Sequence, residues 1–502
     1  MKGARPLSRW QLTVDLTDGE GPVYLAIAQA LSDAIRAGRL APEERLPGAR
    51  SLAAELGVHR NTIVAAYDEL VAQGWLEALP ARGTFVAARA PTVLEGRGGS
   101  RSTPRRAIPL ALPDLSLGPN EREPGPVRRR GLIAMDGGTP DLRLAPTTAM
   151  ARAYRRAVRS PEHLAYGDAR GHPRLRAALA TMLAQARGLA VDANGLLVTR
   201  GSQSALDLVA RALVRPGDRV AVEALGYAPA RAVFRMAGAT LVPIPVDAHG
   251  LDVEALGRAL ADGPIRAVYL TPHHHYPTTV TLSPWRREEL LRLAARARPP
   301  MVLIEDDYDH EFHYRGRPIV PLKARDPHGL VVYVGTLSKL LAPGLRLGYA
   351  VAPPELAAAM LTIRELSDRQ GDPAIEAAVA ELFEDGELQR HARRMKKAYA
   401  ERRDVLLTAL ADELGDVLDV TPSAGGMALW TTVRSPWAAH TEAWAARAVE
   451  LGVRVATGRE FGLDGAPLPH FRIGFAMASP DELRLGVKRL RRALAYFDTH
   501  RR

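Results

Sequence analysis

The chain of 502 residues contains no cysteine, which excludes disulfide bonds and thiolate chemistry. It also lacks a hydrophobic N-terminal segment and any apolar run long enough to span a bilayer. No internal repeat is apparent. These absences favour a cytoplasmic location, and the length allows two to four domains.

Charge is unevenly distributed along the chain. The formal net charge of +11 is typical of nucleic-acid binding. Residues 1–88, however, carry nine Lys or Arg against ten Asp or Glu, so DNA contacts in this region would depend on a few placed side chains. Residues 89–130 carry nine Arg against four acidic residues, and twelve of these 42 residues are Pro or Gly. This composition predicts a linker, whose arginines either touch the DNA backbone or keep the linker soluble.

The N-terminal region has the pattern of a winged helix-turn-helix. Apolar residues recur at helical spacing in three stretches, residues 24–35, 49–56 and 60–73. A short predicted hairpin follows at residues 74–87. Arg60, Asn61 and Thr62 open the third helix, where a recognition helix meets bases and phosphates. A three-helix domain without a DNA partner is the alternative.

A lysine in the C-terminal half is placed like a cofactor-binding amine. A strand-like run at residues 330–334 is followed by Thr336, Ser338 and Lys339, with Arg346 seven residues further on. An arginine that binds phosphate and an amine that condenses with an aldehyde together suit pyridoxal phosphate (PLP). Standing alone, the segment is equally compatible with a solvated lysine.

A carboxylate cluster follows the apolar strand that begins at Met301. PLP needs an acidic partner for its pyridinium nitrogen, and we assign that role to Asp306. Tyr308 is within reach of the cofactor's phenolic oxygen or of its bond to lysine. An acidic metal cluster or a solvated strand end is the alternative.

Two further segments complete the predicted pocket. A strand, a glycine turn and a helix start place backbone amides near Ser202 and Gln203 at a helix N-terminus, which favours phosphate binding. Tyr227 follows another strand and could stack on the cofactor ring, although an isolated tyrosine at a strand end is more often ordinary packing.

Strands and helices alternate through this region. Strand-like runs occur at residues 196–199, 219–222, 240–246, 267–271, 301–304 and 330–334. The alternation predicts an α/β fold with a mostly parallel sheet and a smaller lobe from about Ala358.

From about Met135 onward the motifs resemble those of a fold-type I aminotransferase, in the order expected for that family. They read YGDARGHPRLR, LVTRGSQSAL, IEDDYD, GTLSK and FRIGF. The resemblance implies that Tyr166 reaches the partner's phosphate in a homodimer and that Arg472 binds a substrate or effector carboxylate.

One segment departs from the family. TPHHHYPTT has Tyr276 where the family has Asn and Thr279 where it has Gly. His274 or His275 would then replace the missing hydrogen bond to the cofactor ring. Three successive histidines also suggest a metal site, but neighbouring residues of an extended segment face opposite sides, so at most two could share one ion. We therefore expect no metal.

The N-terminal region resembles the GntR-type winged helix in its pattern RLPGARSLAAELGVHRNTIVAAYDELVAQGWLE. The resemblance places four residues at DNA from the helices and three from the wing, namely Arg50, Arg60, Asn61, Thr62, Arg82, Gly83 and Thr84. Gly48, Ala49 and His59 stand where hydroxyl residues are usual, which removes a phosphate contact.

The two resemblances together cover nearly all of the chain except the linker, in the arrangement of the MocR subfamily of transcriptional regulators. They imply a DNA-binding domain at residues 1–88, a linker at 89–130 and a PLP-binding effector domain at 131–502. We expect a homodimer that binds a repeated or palindromic DNA site and responds to PLP or an amine effector, with little or no turnover. The alternatives are an active aminotransferase with a DNA-binding appendage and a repressor that no longer holds PLP.

Overall fold

The computed structural model describes residues 22–89, 131–316 and 318–499. The chain divides into two compact units, residues 1–111 and 112–502, and each is described by itself. Within the described ranges, no helix combines the length and the apolar character needed to cross a membrane.

The N-terminal unit is a winged helix-turn-helix, as predicted. Its elements are α1 (Val23–Arg36), α2 (Ala49–Leu56), α3 (Arg60–Ala72), β1 (Leu76–Leu79) and β2 (Gly83–Val86). Gly57 ends α2 with φ of 68°, a left-handed conformation that favours glycine and turns the chain into α3. The two strands pair antiparallel to form the wing. Apolar faces of all three helices pack around buried residues such as Leu31, Leu52 and Ile63, which fixes α3 on the core.

The C-terminal unit is built on a seven-stranded sheet. In chain order its strands are β4 (Leu196–Thr199), β5 (Arg219–Glu223), β6 (Thr240–Ile244), β9 (Ala267–Leu270), β10 (Val302–Asp307), β11 (Val331–Thr336) and β12 (Gly348–Val351). The spatial order is β4-β12-β11-β10-β9-β5-β6. All neighbours are parallel except those of β12, which is antiparallel to both β11 and β4. The expectation of a mostly parallel sheet is therefore confirmed.

Helices cover this sheet, and every position of β9 and β11 is buried, as expected for strands with helices on both faces. The helices of this region are α4 (Thr147–Ala157), α5 (Pro173–Arg187), α6 (Gly201–Leu213), α7 (Ala228–Met236), α8 (Val253–Ala261), α9 (Pro284–Arg296), α10 (Pro354–Ser367) and α11 (Pro373–Glu384). A small hairpin pairs β7 (Val246–Asp247) with β8 (Gly250–Leu251).

A smaller lobe follows. Its elements are α12 (Glu387–Leu414), β13 (Leu418–Val420), β14 (Ala428–Val433), α13 (Thr441–Glu450), β15 (Val453–Arg454), β16 (Ala456–Thr457), β17 (His470–Gly474) and α14 (Pro480–Thr499). Four of these strands form a second sheet of order β13-β14-β17-β16. The strand β3 (Ile133–Ala134) joins this lobe by pairing with β15.

The fold differs from the sequence prediction in two respects. The predicted strands omit β12, whose reversed direction gives no alternation of strand and helix to detect. The lobe also begins later than Ala358, because α10 packs against α6 while α11 packs against α4 and α5 beside the large sheet. Beyond Ala358, the first buried residue of the lobe's own core is Met395, within α12.

Candidate cofactor site and DNA-binding face

Lys339 and Asp306 come from neighbouring strands of the large sheet. Lys339 lies three residues beyond the end of β11 and is half-buried. Asp306, on the adjacent β10, is opposite Val334 in the parallel register. The two side chains are close enough for the charge of Lys339 to favour the ionised form of Asp306. The predicted meeting of these residues at the carboxyl ends of two strands therefore agrees with the structure.

Asp306 has one oxygen engaged and one without a partner. The hydroxyl of Tyr269 donates to Oδ2 at 2.9 Å. Oδ1 is buried and has no hydrogen-bond partner among the described residues. Burial raises the pKa of Asp306 to about 7, although the Tyr269 hydrogen bond and the Lys339 charge oppose the rise. A buried carboxylate oxygen that lacks a donor fits the N–H of a pyridinium ring.

The start of α6 lies next to Arg346, and together they form a cradle that suits a phosphate. The first turn of α6 has no side-chain cap, so its backbone N–H groups are open to an anion. Arg346 Nη2 donates to the carbonyl oxygen of Arg200 at 3.0 Å, which holds the guanidinium over this turn. A Cβ at Gly201 would lie 3.2 Å from Arg346 Nη2, so glycine provides the room.

The predicted hydroxyl and amide groups of the cradle have different surroundings. The Thr336 hydroxyl donates to Leu347 O at 3.3 Å and accepts from the backbone N of Ser338 at 3.1 Å, so it shapes the turn before Lys339. The Ser202 side chain is half-buried. The Gln203 side chain donates to Pro229 O at 2.8 Å, which leaves its backbone N–H as the group directed toward an anion.

An aromatic cluster lies between the cofactor residues and the small lobe. The Tyr276 ring makes edge contacts with Tyr227, Tyr308 and Phe461, with centroids 5.6, 6.0 and 5.5 Å apart. Burial raises the pKa of Tyr308 well above its ordinary value, so its hydroxyl remains a hydrogen-bond donor. Tyr227 and Tyr308 therefore share one aromatic wall, and the bulk of Tyr276 replaces the small amide that the family carries there.

Arg472 reaches the same wall from the small lobe. It lies on β17 between Trp430 and Ala456 of the neighbouring strands and is 1% exposed. Its guanidinium is 4.7 Å from the centroid of the Tyr276 ring. Nε and Nη1 are buried and have no hydrogen-bond partner among the described residues. A buried guanidinium with unpartnered donors fits an anion such as a carboxylate.

His274 and His275, in the segment that departs from the family, contact neighbouring side chains and a backbone carbonyl. His274 Nδ1 lies 2.8 Å from Asp309 Oδ1, and its Nε2 faces His313 Nδ1 at 3.5 Å. His275 has both nitrogens engaged, at 2.6 Å from Thr278 Oγ1 and 3.0 Å from Leu225 O. The His274 ring is thus directed at Asp309 and His313, and the predicted contact of His274 or His275 with the cofactor ring stays a prediction.

Tyr166 lies outside the group formed by Lys339, Asp306 and Arg346. Its side chain is 78% exposed, and the Arg369 guanidinium stacks over its ring at 4.2 Å. An exposed tyrosine in this position is compatible with the predicted contact to a partner subunit.

The residues predicted to bind DNA lie on the outside of the N-terminal unit. His59 caps α3 by accepting from the backbone N of Asn61 at 3.2 Å, a cap that serine usually provides. The wing is tied to the segment between α1 and α2, because Leu46 N donates to Thr84 O at 2.9 Å. Five of the predicted residues are exposed, namely Arg50, Arg60, Asn61, Arg82 and Gly83. The other two, Thr62 and Thr84, are half-buried.

Sequence reasoning missed Tyr269 as the residue that positions Asp306. Its signal is a single hydroxyl-bearing side chain within the apolar strand Ala267–Leu270. The strand order that brings β9 beside β10 was needed to recognise its role.

Comparisons with known proteins agree with both units. Residues 134–490 match the family of class I and II aminotransferases, and residues 23–86 match the gntR family of bacterial regulatory proteins. The probable rhizopine catabolism regulatory protein MocR of Rhizobium meliloti is 33% identical over 95% of this chain and 94% of its own length. The HTH-type transcriptional regulator TauR of Rhodobacter capsulatus is also 33% identical, over 95% and 97% respectively. Among solved structures, kynurenine aminotransferase of Pyrococcus horikoshii is 30% identical, covers 73% of this chain and 91% of its own, and superposes with a TM-score of 0.68.

Proposed function

The chain belongs to the MocR-type transcriptional regulators, which join a gntR-family DNA-binding domain to a PLP-binding domain of the aminotransferase fold, and we propose that its PLP-binding domain senses an amine that carries a carboxylate. Residues 1–88 bind DNA in this proposal, residues 89–130 link the domains and residues 131–502 form the sensor. The protein acts in the cytoplasm, where its DNA lies.

The roles of the cofactor residues follow from their positions. When bound, PLP supplies an aldehyde that condenses with amines and a ring that withdraws electrons once its nitrogen is protonated. Lys339 provides the resident amine, and Asp306 Oδ1 accepts the ring N–H. Arg346 and the first turn of α6 hold the phosphate, with Ser202 and Ser338 beside them.

The choice of an effector with a carboxylate rests on the buried nitrogens of Arg472. Its Nε and Nη1 are buried without partners among the described residues, and such a charge is costly unless an anion joins it. Its 4.7 Å contact with Tyr276 brings it to the aromatic wall that Tyr308 also lines. An amino acid could therefore place its carboxylate on Arg472 and its amine at the position that Lys339 serves.

Sensing needs only a difference in affinity between two arrangements of the protein. An amine that displaces Lys339 and engages Arg472 changes contacts on both the large sheet and the small lobe. Two chains complete the arrangement in this proposal, with Tyr166 reaching the partner's phosphate and two winged helices reading a repeated or palindromic site.

An absorbance titration tests the effector class. Purified PLP-loaded protein is titrated with α-amino acids and with the corresponding amines that lack the carboxylate. We expect amino acids to change the cofactor spectrum at lower concentration, and Arg472→Gln to remove that advantage while PLP stays bound. Equal responses to both compound classes, or an unchanged preference in the variant, would contradict the role of Arg472.

A further inference from the structure

Beside the cofactor site lies a group of buried imidazoles that the proposed function does not use. His273 and His274 come from the turn after β9, and His313 comes from the segment after β10. We call these three residues the histidine cluster. All three are buried, at 5%, 1% and 8% exposure, and one ring nitrogen from each lies within 4.8 Å of the others.

The spacing of two of these nitrogens suits a shared ion. His274 Nε2 and His313 Nδ1 are 3.5 Å apart, longer than a typical hydrogen bond. Two nitrogens bound to a tetrahedral Zn²⁺ at about 2.0–2.1 Å would be separated by about 3.4 Å. The observed spacing therefore requires almost no rearrangement of this pair.

The third ring offers an unused nitrogen. His273 Nε2 is buried and has no hydrogen-bond partner among the described residues. Buried polar atoms without partners are rare, because each loses hydration without compensation. A core histidine that merely fills space would be expected to satisfy this atom with a neighbouring donor or acceptor.

His274 is held in the orientation that a metal ligand needs. Its Nδ1 is 2.8 Å from Asp309 Oδ1, which directs the lone pair of Nε2 toward His313. A carboxylate bound to the far nitrogen is the usual support of a metal-binding histidine. The backbone of Gly425 packs so closely that a Cβ there would lie 2.3 Å from His274 Nε2, which limits movement of the ring.

Charges of both signs lie around the cluster. Asp309 contacts His274, and Asp307 lies near His273. The guanidinium of Arg287 is engaged by backbone carbonyl oxygens, and the charge of Lys396 acts on His313. A cation at the cluster would therefore have negative charge on the side of His273 and His274.

We propose that His273, His274 and His313 bind one divalent transition-metal ion, with Zn²⁺ the best match. Asp309 orients His274 through its contact with Nδ1. Three imidazoles leave a fourth position for water or another small ligand. At most two of the three successive histidines share this site, because His275 is engaged by Thr278 and Leu225. The third ligand, His313, comes from another segment of the chain.

Metal analysis of the full-length, untagged, PLP-loaded protein tests the site. The protein is incubated with Zn²⁺ or Co²⁺, dialysed and analysed for bound metal. We expect one ion per chain, and Co²⁺ should give the intense visible bands of a tetrahedral site. Absence of a stoichiometric ion, or only the weak bands of octahedral Co²⁺, would overturn the proposal without any variant.

Substitutions then locate the ion. His273→Gln and His313→Gln should each weaken Zn²⁺ binding at least ten-fold, and Asp309→Asn should weaken it by about 10–100-fold. His249→Gln, a change at an exposed histidine, should bind as the wild type does. The PLP absorbance reports whether each variant is folded. Unchanged affinity in both His273→Gln and His313→Gln would refute this location.

Discussion

Asp306, the proposed partner of the cofactor nitrogen, destabilises the PLP-free protein at neutral and higher pH. Its carboxyl group is buried beside Tyr269, and burial raises its pKa from 3.8 to about 7. Between these two pKa values the folded protein still holds a proton that the unfolded chain has already released. The contribution of Asp306 to stability is therefore fully present below about pH 4 and is lost as the pH rises through about 7.

This linkage predicts a pH-dependent effect of Asp306→Asn. We expect the melting temperature of the PLP-free wild type to fall more between about pH 5 and about pH 8 than that of the variant, because asparagine does not titrate. Glu223 and Glu305, whose pKa values burial also raises, are present in both proteins, and the Asp306 charge adds to the raised pKa of Glu223, so the difference between the two curves includes this coupling. Asp262→Asn, at an exposed carboxylate, should keep the wild-type slope. Parallel pH curves for Asp306→Asn and the wild type would show that Asp306 does not titrate as described.

Lys339 has the most direct test. Borohydride reduction should fix PLP covalently to the wild-type protein, and peptide mass spectrometry should find the adduct on Lys339. Lys339→Ala should carry no adduct, since no other amine is expected at that position. Lys323→Ala removes a half-buried lysine that is 3.7 Å from Asp326, and it should label like the wild type. Recovery of the adduct on a different lysine would contradict the assignment.

At the residue scale, prediction from sequence succeeded where one short segment carries the chemistry. Lys339 and Asp306 each follow an apolar run, and the carboxyl ends of parallel strands converge at one edge of a sheet. It could not give the direction of the His274 ring, which depends on a turn and on Asp309 and His313 from a different segment. Side chains that meet only through tertiary packing leave no spacing in the sequence to recognise.

At the scale of the elements, α3 exposes one face because its opposite face packs on the core of the N-terminal unit. Ile63 and Leu70 of α3 are fully buried against the other helices, which leaves Arg60 and Asn61 outward at the N-terminus. The periodicity of apolar residues was sufficient to predict this element and its exposed face. By contrast, β12 could not be predicted, because its antiparallel position between β11 and β4 is a property of the whole sheet.

The start of α3 yields a prediction on DNA affinity. For a DNA site selected with the wild-type protein, Arg60→Ala should reduce the binding free energy by about 1–3 kcal/mol, the range of a good base contact. The measurement is a fluorescence anisotropy titration at fixed salt. Arg258→Ala, which removes an exposed arginine from α8 in the other unit, should leave the affinity unchanged. An unaltered affinity and base preference in Arg60→Ala would mean that the recognition surface lies elsewhere.

At the scale of the whole molecule, the order of parts was predictable because each domain has its own pattern. The gntR-type motif and the aminotransferase-type motifs lie on opposite sides of an arginine-, proline- and glycine-rich segment, residues 89–130. Residues 90–130 of this segment lie outside the described ranges, so the roles predicted for its arginines stay predictions.

A sensor and an enzyme with these two domains differ in what they must do with a bound amine. A transaminase must move a proton at the substrate carbon in every turnover, with the displaced Lys339 as the base. A sensor needs only to hold its amine, because altered contacts at Arg472 and Lys339 already shift the balance between two arrangements. We therefore expect amino acids that change the cofactor spectrum to change DNA affinity as well, with turnover absent or far below the roughly 10 per second typical of enzymes.

Parallel measurements on one preparation decide between them. DNA affinity and keto-acid production are followed across the same amino-acid concentrations, with Arg472→Gln as the variant in which the DNA response should be lost. Because linkage is reciprocal, the specific DNA should also change the amino-acid concentration needed for half of the spectral shift, by the same factor. Turnover at ordinary enzymatic rates, with a DNA affinity indifferent to the amino acid, would instead identify the chain as an aminotransferase with a DNA-binding appendage.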